Sequence, residues 1–258
     1  MIDSQTLSKL RTAAVDIAME AGRHTLNYYD TSVEVARKKD GSPVTAADRE
    51  AEQIMREYIG SAYPEHQILG EEFEPKETES PFRWILDPID GTLSFIHGVP
   101  LYTTLVAVTY DDHPLIGVIY APALNEICDA AEGQGTRFNG KEAKIRKCES
   151  IEEATFLSTD VQNVWKQNLT GGFEKLAQTC RLHRTWGDAY GHMMVATGRA
   201  DIMIDPILNI WDAAPLYPII REAGGLFTDL KGEATIHGGD ALSCNPVIQQ
   251  QVLELFAR

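Results

Sequence analysis

The chain has 258 residues, 43% hydrophobic and 24% charged, a composition ordinary for a globular protein. Its 38 acidic and 23 basic residues give a formal charge of −15, which argues against a nucleic-acid partner, since phosphate backbones are bound by basic surfaces. No stretch approaches the about 18 consecutive apolar residues of a membrane span, and no signal-peptide pattern opens the chain.

The length is long for one domain and short for two full ones, so one globular unit is expected, with two lobes over roughly 1–148 and 149–258. Leu7, Leu10, Ala14, Ile17, Ala18 and Ala21 recur at helical spacing and predict an amphipathic helix ending near Gly22 or somewhat later. A basic turn, Arg37-Lys38-Lys39-Asp40-Gly41, leads to Thr45-Ala46-Ala47-Asp48, a capping box opening a helix to about Ile59. Short strands follow at Ile68-Leu69 and Trp84-Ile85-Leu86. Thr103–Tyr110 and Leu115–Tyr120 flank Asp111-Asp112 as a hairpin, and Asn139-Gly140 marks another tight turn.

Beyond residue 150 the spacing predicts a strand over 154–158 and a helix over 165–177. A helix over 190–197, a strand over 200–204 and a helix over 212–223 stopped by Gly224-Gly225 follow, with final strands at Phe227 and 242–244. Strands and helices mixed in this way point to a layered α/β or α+β architecture. The cysteines at 128, 148, 180 and 244 form no Cys-x-x-Cys pair. Free thiols in a reducing cytoplasm are therefore the expectation.

The chemistry concentrates in Trp84-Ile85-Leu86-Asp87-Pro88-Ile89-Asp90-Gly91-Thr92. An apolar strand delivers two carboxylates and then a glycine, which lets the backbone turn sharply and approach an anion. Hard divalent cations take oxygen ligands, and Mg²⁺ in particular is held by a few carboxylates plus substrate phosphate. An Asp-Pro turn after a strand accounts for the same residues without any metal. Glu71, in Gly70-Glu71-Glu72, could be a solvated loop acid, and Asp212 a helix N-cap.

The combined set changes that balance. Gly70-Glu71-Glu72, Asp87-Pro-Ile-Asp90-Gly91-Thr92, Trp211-Asp212 and Glu222-Ala-Gly-Gly225 together resemble the inositol monophosphatase family, from the first helix to about Asn245. The resemblance implies a five-layered αβαβα sandwich of the sugar-phosphatase type, usually dimeric, working on a small phosphorylated metabolite with two to three Mg²⁺ ions. Carried over by motif position, Glu71, Asp87 and the Ile89 carbonyl hold the first metal, and Asp87, Asp90 and Asp212 the second. Gly91 and Thr92 bind phosphate through backbone N–H groups. Glu71 and the Thr92 hydroxyl position the attacking water, and Asp48 supports Thr92, a role its capping box leaves open. Lys38 or Lys39 corresponds to a basic residue near the site, though an exposed turn explains either.

Arg184-Thr185-Trp186-Gly187-Asp188-Ala189-Tyr190 is similar to the histidinol-phosphatase branch, where a Gly-Asp pair precedes an aromatic residue. Asp212-Ala-Ala-Pro215-Leu216 and His237-Gly-Gly-Asp240-Ala241 also look like that branch. Asp188 suits a substrate carrying an ammonium and an imidazole. Asp205 occupies the position where the family contacts the non-phosphate part of its substrate. Each acid is equally readable as a helix cap or loop carboxylate. His97, His183, His192 and His237 lack metal-ligand spacing and read as structural or surface residues.

Overall fold

Asp3 starts the first helix, its Oδ1 accepting the Gln5 and Thr6 amides at 3.0 and 2.9 Å. The computed structural model describes residues 2–31, 34–38, 41 and 43–257. Helix α1 (Ser4–Thr25) leads to a short ribbon, β1 (Ala36–Arg37) and β2 (Pro43–Val44), and then to α2 (Ala46–Ala62). Next come β3 (Gln67–Gly70), β4 (Phe82–Asp90), the short α3 (Thr92–Ile96), β5 (Thr103–Tyr110) and β6 (His113–Ala121). Strands β7 (Glu126–Ala131), β8 (Thr136–Phe138) and β9 (Lys141–Ala143) follow. After them run β10 (Thr155–Ser158), α4 (Val161–Lys166), α5 (Thr170–Thr179) and β11 (Leu182–Arg184). The chain ends with α6 (Asp188–Ala196), β12 (Ile202–Asp205), α7 (Ile210–Glu222), β13 (Leu226–Thr228), β14 (Ala241–Cys244) and α8 (Gln249–Phe256).

Two large sheets, in the orders β3-β4-β5-β6-β7-β8-β9 and β11-β10-β12-β14-β13, organise three layers of helix. On β4 successive side chains point to opposite faces. Trp84 and Leu86 join Leu10, Ile17 and Met55 of α1 and α2, while Ile85 joins Met193, Leu216 and Ile219 of α6 and α7. The strand is covered on both faces, which is why its sequence reads as a continuous apolar run. Leu157 and Met203 close the same inner layer from the second sheet. Phe156, Ile202 and Leu242 pack outward against Phe173 and Leu176 of α5 and Val252 of α8. The layering is αβαβα, as the family resemblance implied.

The turn chemistry holds. Asp111 and Asp112 have φ of 48° and 66°, and Asn139 and Gly140 of 47° and 76°, the left-handed values a two-residue hairpin needs. The single helix expected over 165–177 is instead two. Helix α4 ends at Lys166, Asn168 turns left-handed at φ 56°, and α5 starts at Thr170. An asparagine tolerates that conformation, and Gly171-Gly172 weakens helix at the junction. All four cysteines are free and buried. Among the described residues no helix is long and apolar enough to cross a membrane.

Candidate active site

Asp87 and Asp90 are three apart, so a regular strand would point them to opposite faces. The register against β5 slips between them: Asp87 pairs with Leu105 but Asp90 with Thr103. One extra residue on β4 forms a bulge, and both acids turn to the same side. Pro88, which has no N–H to give the ladder, sits inside that bulge, its carbonyl accepting from the Thr104 hydroxyl at 2.8 Å. Asp212 arrives at the first turn of α7, where Asn209 N–H donates to its Oδ2 at 2.7 Å. Carboxylate oxygens of Asp87, Asp90 and Asp212 all lie within 4.8 Å of one another.

Burial pushes the Asp87 carboxyl well above its ordinary range, with the charges of Glu71, Asp212 and Asp90 adding to the effect. Burial does the same to Asp90, reinforced by Asp188 and Asp212. Asp212 is pushed up to about 7, again chiefly by burial. Like charges crowded in a desolvated place raise one another's pKa in this way. A bound divalent cation removes the repulsion. A donor set of oxygens alone suits a hard ion such as Mg²⁺ and not a soft one. The residues present therefore fit the metal that the resemblance implied.

Around this cluster the other expected residues gather. Gly91 has φ of 79° and starts α3. That left-handed φ strains any other residue, and a Cβ there would also lie 2.9 Å from Asp188 Oδ2. The Thr92 hydroxyl donates to the Ile89 carbonyl at 3.1 Å. Asp48 takes the capping role: its Oδ2 accepts Thr45 N–H at 2.7 Å and the Thr45 hydroxyl at 2.6 Å. Its Oδ1 is buried without a hydrogen-bond partner. Burial raises the Asp48 carboxyl as well.

Asp188 begins α6 in a left-handed conformation, φ 54°. The next amide, Ala189 N–H, donates to Asp90 Oδ2 at 2.8 Å, and the Thr103 hydroxyl donates to the same oxygen at 2.9 Å. Asp188 is pushed up to about 7 by burial, then by the charges of Asp205, Asp212 and Asp160. Asp205, at the end of β12, is 5% exposed. Its Oδ2 accepts the Thr159 hydroxyl at 2.8 Å.

Residues 6–258 match the model of the inositol monophosphatase family. The chain belongs to the inositol monophosphatase family. A histidinol-phosphatase of Chlorobaculum parvum is 39% identical over 230 residues, 89% of each chain. A fructose-1,6-bisphosphatase/inositol-1-monophosphatase of Thermotoga maritima is 33% identical over 239 residues, 90% of each chain. The extragenic suppressor protein suhB of Bartonella henselae superposes with a TM-score of 0.91 at 28% identity, covering 97% of this chain and 99% of that one. The protein is accordingly a phosphatase of a metal-dependent family, and its acid cluster can bind a metal.

For this phosphatase the exposed-turn reading of Lys38 is wrong. Its Nζ reaches Glu71 Oε1 at 2.7 Å and Glu72 Oε1 at 2.5 Å, with the side chain 21% exposed. Burial alone would lower the Lys38 ammonium, but the hydrogen bonds to Glu71 and Glu72 outweigh it and hold the group above its ordinary range. Burial pushes Glu72 up to about 7 even so. The turn looked exposed because its neighbours are polar, and only the tertiary fold sets it against the loop after β3. Lys39 lies outside the described residues. Of the two readings of His192, structural or surface, the structural one holds. It is fully buried, with Nδ1 2.6 Å from the Ser243 hydroxyl. Its place in the apolar second turn of α6 was the available sign.

Proposed function

We propose that this phosphatase hydrolyses a phosphate monoester whose leaving group is cationic, and that the ester is histidinol phosphate. The observation that carries the reading is Asp188, whose carboxylate lies against Gly91 within a set of acids that includes Asp205 and Asp160. An ammonium or imidazolium next to a bound phosphate would meet paired charge there, whereas neutral inositol would leave these acids uncompensated. The 39% identity to a protein called histidinol-phosphatase supports the same reading.

Glu71, Asp87 and the Ile89 carbonyl would hold one Mg²⁺, and Asp87, Asp90 and Asp212 a second. Bound there, such ions neutralise phosphate charge and make a neutral-pH nucleophile of water. Backbone N–H groups of Gly91 and Thr92 orient the phosphate. Glu71 accepts a proton from the attacking water as its oxygen bonds to phosphorus. The P–O bond to the leaving group breaks in line, and the alkoxide takes its proton from solvent. The buried Oδ1 of Asp48 has no hydrogen-bond partner, which leaves it free to accept a hydrogen bond in the support of Thr92 that the family motif assigns to Asp48.

A panel of histidinol phosphate, inositol 1-phosphate and fructose 1,6-bisphosphate, each with Mg²⁺, tests the reading through kcat/KM. Histidinol phosphate should lead by at least about tenfold, the worth of one charged hydrogen bond. A lead for either sugar ester would replace this reading with that of a broad sugar-phosphate phosphatase.

A further inference from the structure

The two acids offered to the leaving group come from different elements and repel each other, so something must hold them together. Asp188 stands at the start of α6 and Asp205 at the end of β12. Thr159, in the turn between β10 and α4, touches both. Its hydroxyl donates to Asp205 Oδ2 at 2.8 Å and accepts the Asp188 amide at 2.9 Å. The contact is close enough to dictate sequence. A Cβ on Gly187 would fall 2.3 Å from Thr159 Cα and 2.7 Å from its Oγ1, so the backbone entering Asp188 lies directly on this threonine.

A second buried group backs Asp205. His192 is fully buried, with Nδ1 2.6 Å from Ser243 Oγ. Its Nε2 has no hydrogen-bond partner and lies 3.8 Å from the same Asp205 Oδ2. One oxygen of Asp205 is thus held by the Thr159 hydroxyl, with the edge of a buried imidazole beside it at 3.8 Å. Asp188 depends on the same hydroxyl for its left-handed entry into α6, a conformation that only a few per cent of non-glycine residues adopt.

We propose that Thr159 is a specificity-positioning residue: its hydroxyl ties Asp188 to Asp205, so that the two carboxylates meet one cationic leaving group as a fixed pair. Thr159 need not touch the substrate. Without the hydroxyl, the Asp188 amide loses its acceptor and Asp205 a donor, and the carboxylates drift apart under their own repulsion. The proposal rests on the reading that these acids face the leaving group.

The test compares Thr159→Val, which keeps the shape and removes the hydroxyl, with Thr159→Ser, which restores it. Both are assayed as Mg²⁺-loaded enzymes on histidinol phosphate and on p-nitrophenyl phosphate, whose leaving group has no cation. In Thr159→Val the ratio of kcat/KM for histidinol phosphate over the aryl ester should fall about 10- to 100-fold, mainly through KM. In Thr159→Ser it should stay within about threefold of wild type, the hydroxyl being retained. Equal losses on both esters, or no rescue by serine, would overturn the proposal. If the valine variant does not fold, Thr159→Ala replaces it under the same criteria. If wild type prefers another ester to histidinol phosphate, the substrate reading fails by itself, and the ratio is measured on the preferred ester.

Discussion

Replacing Asp212 by Asn removes one charge from the buried cluster while leaving a side-chain oxygen to accept the Asn209 amide, 2.7 Å away in the wild type. Burial lifts the wild-type carboxyl from 3.8 to about 7. Between those values the native state keeps a proton that the unfolded chain has released, so stability falls as pH rises through the interval. At about 1.36 kcal/mol per pK unit, the penalty fully developed above pH 7 is at most about 4 kcal/mol. Asparagine has no charge to desolvate and should recover about 2 to 3 kcal/mol of it. For a chain of this length 1 kcal/mol moves Tm by roughly 2–4 °C. Metal-free Asp212→Asn should therefore melt roughly 5–10 °C above wild type at about pH 8, with the gap narrowing toward about pH 4.5. Scanning fluorimetry in chelator reads this directly. Saturating Mg²⁺ should then shrink the gap, since at about 100 times its Kd the wild type gains about 2.7 kcal/mol that the variant largely forgoes. A metal-free variant melting at or below wild type at about pH 8 would refute the claim that burial of the Asp212 carboxylate destabilises the metal-free protein.

Asp188→Asn should lower the ratio of kcat/KM for histidinol phosphate over an aryl phosphate by about 10- to 150-fold, the worth of a charged hydrogen bond; an unchanged ratio would make Asp188 purely structural. Activity should require added Mg²⁺, vanish in chelator and decline with excess Ca²⁺, whose looser coordination suits in-line displacement poorly. Full turnover in a sample that elemental analysis finds metal-free would rule the mechanism out. Lys38→Met should cost the metal-free protein about 1–2 kcal/mol in urea denaturation, a partly exposed pair being worth less than a buried one, because Glu71 and Glu72 lose their shared cation. Mg²⁺ should restore most of that loss, and an unaltered urea midpoint without metal would show the pairs to be energetically idle.

Much of this protein is readable without coordinates, because the information is local. The apolar run into Asp87 names a strand, Thr45 and Asp48 name a capping box, and Asp111-Asp112 names a hairpin. In each case the deciding contact lies within a few residues. Asp87, Asp90, Gly91 and Thr92 are neighbours in sequence and suit a hard cation, but an Asp-Pro turn explains them equally well. It is their combination with Glu71 and Asp212, by resemblance to the family, that points to a metal. What lies beyond that range required the folded chain. A bulge opposite Leu105 and Thr103 decides that Asp87 and Asp90 face the same way, and nothing in the spacing alone settles which side a strand residue takes once a register slips. Asn168 divides a helix that periodicity alone runs through. Lys38 becomes the counter-ion of Glu71 only because the ribbon of β1 and β2 lies against the loop after β3, 33 residues away. Likewise Thr159, 29 residues from Asp188 and 46 from Asp205, ties them together only in the tertiary structure. Residue type and local spacing determine which groups can bind metal or cap a helix. Which of them share one desolvated pocket is decided by chain crossings that no local pattern records.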